Sequence, residues 1–219
     1  MEKILFKRKM NNQKIITNNN QMKNNNKVKK EPTTKPGVEV AIKDEGLIES
    51  TDDNGVSYYF RGNVKNNYVK IGNYNFRIVR ITGDGSVRII LDGVLPEEKA
   101  YYMNIGDYSY HGSYVSSYLN KWLDSDLKDY GDIISNYKFC NDNNANNGEI
   151  LNKDRIVKNN IPSFICLGET FSVRAGLLSV DEMILAGGTV YSDNTEYYLY
   201  NPSITSSTYS MTGYNYDGI

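Results

Sequence analysis

Between residues 73 and 91 two apolar, β-branched runs flank one short polar break. The first run is Asn-Tyr-Asn-Phe-Arg-Ile-Val-Arg-Ile, the break is Thr-Gly-Asp-Gly-Ser, and the second run is Val-Arg-Ile-Ile-Leu. This pattern predicts a β-hairpin, since Gly83 and Gly85 can take the positive φ angles a tight loop needs. Phe76, Ile78, Val79 and Ile81 put apolar groups on both sides of the first strand, so it should be buried on both faces. Val87, Ile89 and Leu91 alternate and share one face of the second.

The same reading extends along the chain. Gly46-Leu47-Ile48 is a short apolar touch, Asp52-Asp53-Asn54-Gly55 a turn, and residues 56–61 a strand rich in Tyr and Phe. Asn66-Asn67 turns the chain, residues 68–71 form a short strand, and Gly72-Asn73 leads into the hairpin. Val115, Tyr118, Leu119, Trp122, Leu123 and Leu127 make one helical stripe, with Ser113 as N-cap and Gly131 as stop. Trp122 lies mid-stripe and is expected as a core anchor against the sheet. Residues 141–148 are almost all Asn, Asp, Ala and Gly, which predicts an exposed loop. Residues 164–167 and 173–178 read as short strands. Ser179-Val180-Asp181-Glu182 is a capping box opening a brief helix that Gly187-Gly188 ends. Residues 197–200 read as a strand.

Composition divides the chain. Residues 1–37 are rich in Asn, Lys and Gln, cannot bury enough apolar surface to offset ordering entropy, and are expected to be a disordered tail; residues 38–219 form one domain. The tail's Lys/Arg excess is ordinary for a solvated linker, with contact to an anionic polymer or membrane the sharper alternative. The formal net charge of −1 lacks the basic footprint of a nucleic-acid binder. Apolar runs fall short of the ~20 residues of a membrane span, and no h-region of a signal peptide follows the basic start. Tyr is over-used, with 19 against 6 Phe and 1 Trp. Codon bias is the plainer account, since Asn, Lys and Ile are abundant too; an exported binding surface using amphipathic rings is the sharper one.

Several motifs occur in a fixed order: Tyr-Tyr-Phe-Arg-Gly-Asn-Val at 58–64, Phe-Arg-Ile-Val-Arg-Ile-Thr-Gly-Asp-Gly at 76–85, Ser-Tyr-Leu-Asn-Lys-Trp-Leu at 117–123, Phe-Cys at 139–140, Gly-Leu-Leu-Ser-Val-Asp-Glu at 176–182 and Tyr-Tyr-Leu-Tyr at 197–200. Together the motifs resemble a family of uncharacterised extracellular domains of low-GC gut bacteria, often placed behind a pilin-like or signal-anchor helix. That family is similar to C-type-lectin-like and formylglycine-generating-enzyme-like folds. The resemblance covers residues 46–212 and implies an α+β fold: an antiparallel sheet with two helices packed on it, C-type-lectin-like. It implies an exported, surface-displayed module. The family carries Trp at the position of Phe76 and a membrane segment ahead of the domain. It also continues past Tyr209-Ser210-Met211-Thr212 into a closing strand that this chain does not reach, which implies a fragment or a degenerate copy lacking its last strand.

The resemblance also implies a disulfide between Cys140 and Cys166, the two cysteines of the chain; two free thiols in a cytosolic protein are the alternative. Neither cysteine matches the close reactive pair of formylglycine-generating enzymes. His111, the single histidine, lies in a Tyr/Gly loop without a placeable partner, and one His with two distant Cys disfavours a zinc centre. Asn201-Pro202-Ser203 lacks the acidic partner of a lectin calcium triplet, and Asn141-Asp142-Asn143 lacks the spacing of a dedicated calcium loop. Thr82-Gly83-Asp84-Gly85 sits inside a hairpin and not before a helix, so the turn reading outweighs a phosphate loop. No cofactor is expected. The expected function is a non-enzymatic surface module that binds a glycan or a protein through residues 101–110 and 191–209, with Tyr191, Asn194, Tyr197, Tyr200 and Tyr209 as contacts. The alternatives are a structural part of a pilin-like appendage and an oxidoreductase of the formylglycine-generating type.

Overall fold

The computed structural model of the chain describes residues 2–6, 27–38, 40–93, 95, 114–141, 145–146, 149–150, 161–192, 197–200 and 208–210. Its centre is a seven-stranded antiparallel sheet built from β1 (Glu2–Phe6), β2 (Gly46–Asp52), β3 (Gly55–Arg61), β4 (Tyr68–Ile71), β5 (Tyr74–Ile81), β6 (Val87–Leu91) and β11 (Ala175–Leu177). The order across it is β11-β1-β6-β5-β3-β2, with β4 also paired to β5. Smaller ladders join β7 (Tyr137–Asn141) to β10 (Glu169–Val173), β8 (Ala145–Asn146) to β9 (Glu149–Ile150), and β12 (Thr189–Ser192), β13 (Tyr197–Tyr200) and β14 (Thr208–Ser210) to one another. Among the described residues two α-helices accompany these sheets, α1 (Tyr114–Asp126) and α2 (Val180–Leu185).

The β5–β6 hairpin is where the sequence pattern places it, and it is the middle of the sheet. Its partner residues sort the two faces. Phe76 faces Leu91, Ile78 faces Ile89, and Leu47 of β2 faces Phe60 of β3; these six residues form one buried cluster with Leu119, Trp122, Leu123 and Leu127 of the α1 stripe. Trp122 is thus a core anchor, edge-on to the Tyr74 ring at 5.2 Å. On the opposite face Ile48, Tyr59, Phe164 and Leu185 form a second cluster that seats α2. Between Ile78 and Arg80 the β5–β6 register shifts, and Val79 is the extra residue of a β-bulge. At this point Asn67 completes the ladder: its carbonyl accepts from Ile78 N–H and its Nδ2 donates to Ile78 O.

Not every expectation holds. Only Gly85 of the hairpin loop has a positive φ, at 83°. Gly83 is required for close approach instead, since a Cβ there would lie 2.5 Å from the Asn54 carbonyl carbon. Gly46-Leu47-Ile48 is the start of a full seven-residue strand; Glu49, Ser50 and Thr51 hide it from a hydrophobicity scan, yet pair in register with β3. Residues 164–167 are not a strand: Phe164 makes an isolated bridge to Asp52, while Ile165 and Leu167 are exposed. Residues 173–178 are broken at Arg174 into the ends of β10 and β11, which belong to different sheets.

Residues 1–37, expected to be a disordered tail, have two pieces with defined places. Glu2–Phe6 is β1, inside the sheet. Lys29 lies along the outer edge of β2, accepting from Glu49 N–H and donating to Leu47 O, and so covers a sheet edge that would otherwise stand open. Asp44, in a 3-10 turn at Ile42–Asp44, accepts from the backbone and hydroxyl donors of Thr33 and Thr34. These hydrogen bonds hold the Asp44 carboxyl far below the usual carboxylate range, the Thr34 hydroxyl contributing most.

Candidate functional site

The α2 face of the sheet carries the densest chemistry among the described residues. Partner positions define one row across it: Ile48 (β2), Tyr59 (β3), Arg80 (β5), Arg88 (β6) and position 5 of β1. Two arginines directly opposite each other on adjacent strands repel. Both are buried, at 4 % exposure each.

Glu182 of α2 answers them. Its Oε1 lies 3.4 Å from Arg80 Nε and 3.2 Å from Arg88 Nε. Asp52 adds a second carboxylate, 3.7 Å from Arg80 Nη1. Two cations and two anions therefore close a neutral set. Aromatic faces cover it: Phe164 stands 4.4 Å from the Arg80 guanidinium carbon, and Phe139 and Tyr137 stand 4.6 and 5.2 Å from that of Arg88. Burial pushes both guanidinium groups down, Arg88 furthest because Arg80 adds like-charge repulsion. The Nε atoms of both arginines have charge contacts without an aligned hydrogen bond.

Glu182 divides its two oxygens between two tasks. While Oε1 meets the arginines, Oε2 accepts from Ser179 N–H and Oγ–H, and the Ser179 hydroxyl accepts from Glu182 N–H. The capping box read from the sequence is thus complete, and it delivers the carboxylate to the sheet. The other end of α2 is held from the same sheet. Arg61, fully buried, donates through Nη1 to the carbonyls of Ile184 and Leu185 at 3.2 and 3.0 Å, and through Nη2 to Lys35 O and Thr34 Oγ1. A six-residue helix has little stability of its own; here arginines clamp both termini. Gly187 then leaves the helix with φ 113°.

Cys140 and Cys166 are joined in a disulfide with Cα atoms 5.5 Å apart. It fastens the end of β7 to the segment just after Phe164. The bond therefore ties together the two segments whose rings cover Arg88 and Arg80. The Asp53 carboxylate secures the same segment by accepting from Cys166 N–H at 3.2 and 3.3 Å.

The predicted tyrosine contacts fall on the β12–β13–β14 sheet. Tyr191 pairs with Tyr198, Tyr197 with Ser192, Tyr200 with Thr189, and Tyr209 with Leu199. By strand alternation Tyr191 and Tyr200 occupy one set of positions and Tyr197 and Tyr209 the other, so the four divide between two sets. Asn194, His111 and the loop 101–110 lie outside the described residues. Among the described residues no cluster of three or more His, Cys, Asp or Glu is placed to hold a metal ion, and no helix is long and apolar enough to cross a membrane.

Sequence reasoning missed Arg61, Arg80, Arg88, Asp52 and Glu182 as a set. One signal was present: arginines inside the strongly apolar runs Ile-Val-Arg-Ile and Val-Arg-Ile-Ile. The adjacent apolar pairs Ile78-Val79 and Ile89-Ile90 mark both faces of these strands as covered, and an arginine in such a strand is buried and needs an anion. No protein-family model, curated protein or solved structure matches this chain.

Proposed function

We propose that this chain is a cell-surface module of C-type-lectin-like architecture that binds a glycan or a protein ligand without catalysing a reaction. It resembles the extracellular domain family whose ordered motifs it carries. The observation that carries this reading is the Cys140–Cys166 disulfide. Disulfides persist in oxidising compartments, and this one fastens segments of the outer layer that no other covalent bond holds to each other. Two features support a binding role rather than catalysis. The buried arginines are neutralised within the fold and screened by rings, so their chemistry is spent on clamping α2 to the sheet. The β12–β13–β14 sheet concentrates tyrosine, serine and threonine, side-chain types suited to adaptable recognition.

Alkylation and mass spectrometry on protein from its native cells test the localisation. A fully oxidised Cys140–Cys166 pair is the expected result, and two alkylated thiols overturn it. Glycan and surface-protein screens then test the ligand class, with Tyr191→Ala, Tyr197→Ala, Tyr200→Ala and Tyr209→Ala as probes. Binding that all four variants retain removes the tyrosine sheet as the contact region.

A further inference from the structure

We infer that the gap between β6 and β11 is a strand-acceptor site whose fitting partner is residues 2–6 of a second copy of this chain. β1 is first in sequence, yet it sits inside the sheet, antiparallel to both neighbours. Ile4 stands opposite Ile89 on one side and Ala175 on the other. Among the described residues β1 is the only strand that pairs with β11. Withdrawing it uncovers the edge of β6 beside the buried Ile89 and Ile90, and frees β11 from the sheet. The seat therefore demands a strand, whichever molecule supplies it.

The sequence lets the strand come from elsewhere. Twenty residues separate Phe6 from Lys27, eight of them Asn and five Lys or Arg. Fully extended they reach about 70 Å, against a radius of gyration of roughly 17 Å for a compact chain of this length. An identical strand from a neighbour makes the same ladder, so exchange costs only the advantage of being tethered. A tether of this kind corresponds to an effective concentration on the order of 1 mM. The chain's own strand therefore fills the seat in dilute solution, and a neighbour's strand competes where copies are crowded on a surface. This inference is independent of the ligand proposed above.

The test uses the full chain carrying Ile4→Pro. A strand paired on both edges turns every N–H toward a neighbour, so proline cannot occupy it. The probe is a fluorescent peptide of residues 1–10, with a scrambled peptide as control. The expected result is that Ile4→Pro chain binds the native peptide at least tenfold more tightly than intact chain does, and does not bind the scrambled one. A folded Ile4→Pro chain, with unchanged Trp122 emission, that ignores the native peptide or binds both peptides alike overturns the inference. If Ile4→Pro chain does not fold, intact chains of two isotopic masses are mixed at about 1 mM and diluted for native mass spectrometry. Mixed dimers support the exchange, and monomers alone overturn it.

Discussion

Glu182 shows how much one residue can carry when its two oxygens have different duties. Replacing it with Gln keeps the volume and part of the cap but leaves Arg80 and Arg88 with one carboxylate between them. Leaving a buried charge uncompensated costs about 3–5 kcal/mol, so Glu182→Gln should lower the urea midpoint accordingly. Adding Arg88→Met removes the unbalanced cation and should recover part of the loss, which a double-mutant cycle measures. Tyr59 gives a second residue-level prediction. Burial pushes its hydroxyl up to about 12, with Arg61 pulling slightly the other way. The folded state therefore keeps a proton that the unfolded chain sheds near pH 10. The stability tied to that proton is complete below pH 10 and falls away as pH rises to about 12. Tyr59→Phe should flatten that part of an alkaline stability profile measured by denaturant titration.

At the scale of elements, the readable parts were those where one physical cause acts alone. The α1 stripe is a pure 3.6-residue pattern, and Leu119, Trp122 and Leu123 are buried as it requires, with Leu127 buried just past the helix end. The Ser179–Glu182 box is a local pair of hydrogen bonds and needs no distant partner to be recognised. Elements fixed by distant partners were not readable. Half of β2 is polar and becomes a strand because β3 lies beside it. β1 lies in a segment whose composition predicts disorder, and its place depends on strands more than 80 residues away. The arginine set joins residues 52, 80, 88 and 182, a contact no local window contains. Gly83 reads in the sequence as a turn glycine but serves proximity, because what constrains it is the Asn54 backbone in the neighbouring turn.

For the whole molecule the disulfide is the long-range constraint. It links residues 26 apart, and in the chain-entropy picture closing such a loop contributes roughly 3–4 kcal/mol. Cys140→Ser with Cys166→Ser should lower the unfolding free energy by about that amount in urea titrations. Hydrogen exchange should rise first in β7 and in residues 163–168, since those backbones lose their shared anchor.

The bulge at Val79 carries a consequence for how this chain tolerates change. Counting along β5, the extra residue inverts parity: Phe76, Ile78 and Ile81 fall on the α1 face, and Arg80 on the other. Deleting Val79 would not merely shorten a strand. It would remove the bulge and leave Ile78 opposite Ile89, Arg80 opposite Arg88 and Ile81 opposite Val87, each on its present face, so the deletion variant should still fold cooperatively, with its urea midpoint lowered by the loss of one buried valine. Substituting Val79 with the larger Ile or Leu, by contrast, adds methylenes at a buried position and should cost about 1–3 kcal/mol in the same titration. The strand therefore carries one spare residue, and a single-codon deletion scan of β5 should find its mildest penalty at the bulge.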